Sequence, residues 1–125
     1  MRFISTKVHG VLDYTVGGFI AASPWILGFA RGGAETKVPE AAGKAAVVYS
    51  LLTDYEWGVA KVIPMRKHLL LDLASGVFLA ASPWIFGFAK KTYLPHLLMG
   101  LFEIGAALVT KQEPEPESEH SILDA

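Results

Sequence analysis

Residues 9–30 read HGVLDYTVGGFIAASPWILGFA, and residues 68–89 read HLLLDLASGVFLAASPWIFGFA. Fourteen of these 22 positions are identical at a constant offset of 59, far beyond coincidence, so the chain is two copies of one unit. His9 maps onto His68, Asp13 onto Asp72, and Gly17 onto Gly76. Ser23, Pro24 and Trp25 map onto Ser82, Pro83 and Trp84. Upstream, Ile4 meets Ile63 and Lys7 meets Arg66. Downstream, Pro39 answers Pro95 and Gly43 answers Gly100, with a few residues lost from the second copy. Each copy is a long apolar segment, a short basic loop and a second apolar segment. With 125 residues there is no room for a second full core, so both copies belong to one domain, residues 1–110. Copy one covers about 3–58 and copy two about 62–110.

Apolar residues make up 52% of the chain and charged residues 18%. Ordinary soluble domains are about 25% charged, so the balance is shifted toward hydrocarbon. The mean hydropathy of +0.38 averages two unlike parts. Residues 111–125, KQEPEPESEHSILDA, carry five acids against one lysine. Alternating Pro and Glu block helix and sheet alike, which predicts a disordered, solvated acidic tail. The formal charge of −1 therefore divides into −4 on the tail and +3 on residues 1–110. This charge gives no argument for a nucleic-acid partner. The absence of cysteine excludes disulfides, thiolate metal sites, iron–sulfur clusters and cysteine nucleophiles.

About 20 apolar residues cross a bilayer as a helix. Segments 9–30 and 68–89 supply 22 each, and Leu94 to Thr110 supplies 17 with one internal acid, Glu103. The segment from Pro39 to about Gly58 is the weakest, with Lys44 near one end and Asp54 and Glu56 near the other. Glu40 stands four residues before Lys44, a helical ion-pair spacing. Strands are excluded because there is no period-two alternation. A soluble four-helix bundle would need charged faces, which residues 14–30 and 73–89 lack. A signal peptide is also set aside, since the first apolar segment is long and recurs mid-chain.

The pattern predicts an all-α bundle of four transmembrane helices. Two parallel two-helix repeats would be related by a pseudo-two-fold axis along the membrane normal. The lipid bilayer is then the first partner. Both termini fall on one side, with Arg2, Lys7, Lys61, Arg66, Lys67 and Lys111. Arg31, Lys37, Lys44, Lys90 and Lys91 fall on the other, a small excess that puts the termini in the cytoplasm.

The near-duplicates FIAASPWILGF and FLAASPWIFGF resemble the signature of the SPW repeat family of small bacterial integral membrane proteins. The resemblance spans essentially residues 3–110. It implies a four-helix protein of the bacterial inner membrane and implies no activity.

Pro24 and Pro83 lack an N–H, which frees the carbonyls of Ile20 and Leu79 and favours a kink. Ser23 and Ser82 stand where they can satisfy that freed backbone. Trp25 and Trp84 lie 16 residues beyond the histidines. At 1.5 Å per residue that is about 24 Å, which places the indoles at the far interface. A kink that fixes helix tilt and a broken helix lining a cavity both fit this motif. Gly17 with Ala21, and Gly76 with Ala80, form small-xxx-small pairs. These point to the first and third helices meeting near the axis, or to a seam in a homo-oligomer.

Ionisable groups in apolar helices are candidate functional sites. His9 and Asp13 share one helix face, as do His68 and Asp72, and the repeat puts both pairs at one depth. If they converge, two imidazoles and two carboxylates suit zinc or non-haem iron, and two facing histidines suit a haem. A proton relay is another reading. A plain structural one is that carboxylates are favoured at helix starts while histidines sit among headgroups. His96 and Glu103 share a face of the last helix, and Glu103 is expected to stay protonated or to pair with His96 or Lys44.

No phosphate loop, serine elbow or HExxH occurs. The leading expectation is therefore a non-enzymatic structural or accessory membrane module without a cofactor, self-associating or part of a larger complex. The alternative is a cofactor- or metal-binding, or proton- and solute-handling, membrane protein using the His, Asp and Glu set.

Overall fold

The first helix begins where Ser5, in extended conformation, accepts a hydrogen bond from Val8 N–H through its side chain. This N-cap meets one of the four donors that a helix start leaves free. In the computed structural model, which describes residues 2–114, four helices follow one another. They are α1 (Thr6–Ile26), α2 (Ala34–Leu51), α3 (Met65–Ile85) and α4 (Leu94–Val109). No strand occurs among the described residues, and the class is all-α. The expected tail disorder falls mostly on residues 115–125, outside the described ones.

The chain packs as two hairpins, α1 against α2 and α3 against α4, with α2 touching α3. Glycine makes this possible. A Cβ on Gly43 would strike Ala21 N and Gly17 O, and one on Gly100 would strike Gly76 O and Ala80 N. Backbone meets backbone at both places. The small-residue seam expected between the first and third helices, or between copies, therefore lies inside each hairpin. Spacing shows that a face is narrow, and the partner is whichever helix brings a glycine to it.

The SPW motif ends α1 and α3. Pro24 and Pro83 sit in the last turn, and the helices stop at Ile26 and Ile85, four residues short of the apolar runs. Gly28 and Gly87 adopt φ of 75° and 74°, a left-handed conformation open to glycine. Phe29 N–H then bonds Pro24 O, and Phe88 N–H bonds Pro83 O. This is a Schellman ending, so the glycines terminate the helices. Each proline thus comes about one turn before its helix stops.

Helix α2 starts at Ala34 and ends at Leu51, earlier at both ends than the expected Pro39 to Gly58. Thr36 Oγ1 accepts from Arg31 N and Gly32 N ahead of its first turn. Beyond Leu51, Val59 N and Ala60 N satisfy the Leu51 carbonyl. Asp54 and Glu56 thus lie in a connecting loop, where Glu56 accepts from Thr6 Oγ1 at 2.8 Å. Lys44 and Glu40 do pair, at 3.0 Å on an exposed face.

The two hairpins clip together at the end that holds the start of the chain. Phe3 N and Ile4 N donate to Val109 O, and Lys111 N donates to Ile4 O. The matching bonds run from Val62 N and Ile63 N to Leu52 O, and from Asp54 N to Ile63 O. By length and composition, α3 is the helix among the described residues that meets the requirement for crossing a membrane, while α4 is apolar but shorter.

Candidate functional site

His9 and Asp13 lie one turn apart on α1, and His68 and Asp72 one turn apart on α3, all four buried. One donor atom from each lies within 4.8 Å of the others. His9 Nε2 is 2.8 Å from Asp72 Oδ2 and 3.1 Å from Asp13 Oδ1. His68 Nε2 is 3.1 Å from Asp13 Oδ2 and 3.2 Å from Asp72 Oδ2. The imidazoles meet edge to face with centroids 5.5 Å apart. The convergence that the repeat suggests is therefore present, and long side chains reach across a gap where α1 and α3 make little direct contact.

Two threonines fix the rings. Thr110 Oγ1 donates to Ala106 O at 2.6 Å and lies 2.7 Å from His9 Nδ1. Thr53 Oγ1 donates to Tyr49 O at 2.6 Å and lies 2.7 Å from His68 Nδ1. A hydroxyl has one proton, so once it is given to a carbonyl the oxygen can only accept. Both imidazoles must then donate from Nδ1, which turns both Nε2 atoms to the centre. Each threonine comes from the opposite hairpin to the histidine it holds.

The carboxylates are held as well. Tyr49 Oη donates to Asp72 Oδ1, and Tyr55 Oη donates to Asp13 Oδ2 at 2.6 Å. Burial first, then the Asp13 carboxylate, push the phenol of Tyr55 up, so this loop residue stays a donor. The loop is anchored by Trp57, which donates through Nε1 to Lys7 O at 2.8 Å. Gly10 leaves the space its ring fills.

Glu103 joins neither His96 nor Lys44. It is buried beside Ser75, and its Oε2 has no hydrogen-bond partner. It borders a cavity of about 30 Å³ together with His9, Asp13 and Asp72, large enough for a water molecule. His96 has a separate task. Pro39 inside α2 has no N–H, which leaves the Glu35 carbonyl free, and His96 Nε2 donates to it at 2.8 Å. Phe29 and Phe88 flank the His96 ring at 4.9 and 4.8 Å. Helical spacing puts His96 and Glu103 on one face, but two turns separate them and each finds a nearer neighbour.

The motif serines act on the backbone. Ser23 Oγ donates to Ile20 O and Ser82 Oγ to Leu79 O, both at 2.7 Å, the carbonyls that Pro24 and Pro83 leave free. Trp25 and Trp84 are exposed at the helix ends. Sequence reasoning missed Thr53, Thr110, Tyr49 and Tyr55. The threonines carried a signal, since they stand 57 residues apart, the offset that relates Gly43 to Gly100.

Comparison with curated proteins and with solved structures finds no match. The SPW repeat domain matches residues 7–110, which include both hairpins and all four residues of the centre, and the chain belongs to the SPW repeat family.

Proposed function

We propose that this chain is a small multi-pass protein of the bacterial inner membrane, acting as a non-enzymatic structural or accessory module. One observation carries the reading: polar side chains are buried beside the small apolar core while many large apolar side chains face outward. His68, Ser23, Ser50 and His96 are fully buried, while Leu70 is 64% exposed and Leu98 59%. Large apolar side chains stand exposed along all four helices, among them Val8, Phe19, Val48, Leu71, Val77, Phe78, Leu101 and Phe102. In water each such side chain forgoes part of the roughly 1.5–3 kcal/mol that full burial would give. In hydrocarbon the arrangement is favourable, because the apolar side chains face lipid while helices pair most of their backbone groups internally and Ser23, Ser82 and His96 meet carbonyls that the prolines free.

The four helices then cross as two parallel hairpins about a pseudo-two-fold axis through the His–Asp centre. The matching clips at Ile4 with Thr110 and at Ile63 with Thr53 support that relation. Both termini and Lys61 lie on the cytoplasmic side, and Lys91 lies on the other. The helix-ending SPW motif sets span length, and the exposed indoles of Trp25 and Trp84 anchor at the interface.

The chain has no cysteine, so Lys61→Cys and Lys91→Cys each give a single reporter. Membrane fractions washed with alkaline carbonate should retain the protein. A membrane-impermeant maleimide should label the two cysteines from opposite faces of sealed vesicles. Release by carbonate, or labelling of both cysteines from one face, overturns the reading.

A further inference from the structure

We propose that His9, Asp13, His68 and Asp72 form a binding site for one divalent transition-metal ion of the zinc or ferrous type. The inference stands on the centre's own geometry and goes beyond the membrane reading. The four donors are two Nε2 atoms and one oxygen from each aspartate. Zinc holds nitrogen and oxygen ligands at about 2.0–2.1 Å, so the edges of a tetrahedral site measure about 3.3 Å. Whichever Asp13 oxygen is taken, three nitrogen–oxygen separations lie between 2.8 and 3.2 Å, close to that figure, and with all four donors within 4.8 Å of one another side-chain shifts bring in the rest.

The partners around the donors match what a metal site requires. Ligating histidines commonly donate their other ring N–H to a fixed acceptor, which sets tautomer and orientation. Thr110 and Thr53 perform that task for His9 and His68. Tyr49 and Tyr55 hold the two carboxylates in the same manner. His68 is fully buried, yet its Nε2 makes no aligned hydrogen bond although two carboxylate oxygens stand near it. An inward-facing nitrogen without an aligned hydrogen bond is what an ion would satisfy.

Charge points the same way. Two carboxylates and two neutral imidazoles around a divalent cation sum to zero, the favourable condition in a low-dielectric interior. Nitrogen and oxygen donors suit zinc, iron(II) or manganese rather than cuprous ions, which prefer sulfur. The cavity of about 30 Å³ lined by Glu103 gives room for a water as a further ligand, and Glu103 Oε2 has no hydrogen-bond partner of its own. That space is far smaller than a porphyrin, so the ligand proposed is a bare ion. Because each hairpin supplies one histidine and one aspartate, a bound ion ties the two hairpins together.

The test uses the purified full chain, stripped with chelator, reloaded with Zn²⁺ and desalted. One zinc per chain is expected, with a melting temperature above that of the stripped protein. Zinc-edge X-ray absorption should show nitrogen and oxygen neighbours at about 2.0–2.1 Å and two imidazoles. Asp72→Asn should weaken zinc binding by a hundredfold or more. Should that variant fail to fold, Thr53→Val and Thr110→Val keep all four donors and remove only the hydroxyl acceptors. Each should weaken binding about 10–100-fold. Less than a tenth of a zinc per chain, a shell without two imidazoles, or unchanged affinity in both threonine variants overturns the site. Carbonate extraction and cysteine labelling are indifferent to all three results, so failure of the metal site and failure of the membrane reading remain distinct.

Discussion

The two hairpins agree wherever they hold each other and differ on the wall of the centre. Gly17 and Gly76, Gly43 and Gly100, Thr53 and Thr110, and both His–Asp pairs do the same work in each copy. Around the centre the match fails at three positions, one of them Tyr55, which corresponds to Gln112. Tyr49 of α2 corresponds to Ala106 of α4, and Ala46 corresponds to Glu103. Tyr49 reaches Asp72, whereas Ala106 reaches nothing polar and instead borders the cavity with Ala46 and Glu103. The cavity therefore lies where the second copy lacks the tyrosine of the first. Duplication supplied the shared scaffold, and divergence at two positions shaped the space beside the centre.

The largest test of equivalence is the centre itself. Asp13→Ala and Asp72→Ala each remove one of the two carboxylates that both buried imidazoles face, and breaking a buried pair in this way costs about 3–5 kcal/mol. Asp72 should stand at the upper end, because one of its oxygens faces both histidines and the other accepts from Tyr49. Unfolding of the detergent-solubilised protein, followed by tryptophan fluorescence, measures both. A loss below about 1 kcal/mol in either variant would show the centre to be energetically idle.

Next come the hairpin seams. Gly43→Ala and Gly100→Ala each place a methyl group against main-chain atoms that cannot rotate away. Overpacking of this kind costs about 1–3 kcal/mol. The two losses should agree within about 0.5 kcal/mol, and a larger disparity would show that one hairpin tolerates separation.

Glu103→Met tests the asymmetry. Replacing a buried carboxyl that has an unpartnered oxygen by an apolar chain of similar length removes a desolvation penalty of about 1–3 kcal/mol. The variant should be more stable by about 1 kcal/mol, and Met also fills part of the cavity. A loss of stability would mean that Glu103 is held by more than Ser75.

Much of this arrangement was legible from the repeat. Equal offsets put His9, Asp13, His68 and Asp72 at one depth, and two-fold pairing of hairpins brings such residues together. What stayed hidden depended on partners that periodicity does not carry. The faces of Gly17 and Gly76 read as narrow, but their occupants were Gly43 and Gly100 of the adjacent helix. His96 read as a partner for Glu103, while the carbonyl it satisfies became available only because α2 begins before Pro39. Apolar runs to Ala30 and Ala89 overstated two helices, because left-handed Gly28 and Gly87 stop them inside hydrophobic sequence. Four full membrane spans remain part of the proposed function, with α3 meeting the length and composition requirement.

The smallest effect concerns the motif after which the family is named. Ser23→Ala and Ser82→Ala each remove one hydrogen bond to a carbonyl that the following proline leaves free. A loss of about 1 kcal/mol apiece is expected. The cause can be isolated, because Pro24→Ala restores an N–H able to bond Ile20 O. In that background the serine hydroxyl becomes redundant, and Ser23→Ala should cost less than about 0.3 kcal/mol. The difference between backgrounds is the coupling energy of a double-mutant cycle. A full cost in both backgrounds would mean that the serine serves some group other than the proline-freed carbonyl. The same cycle at Ser82 and Pro83 should return the same coupling, since both carbonyls are met at the same distance in a Schellman-terminated last turn.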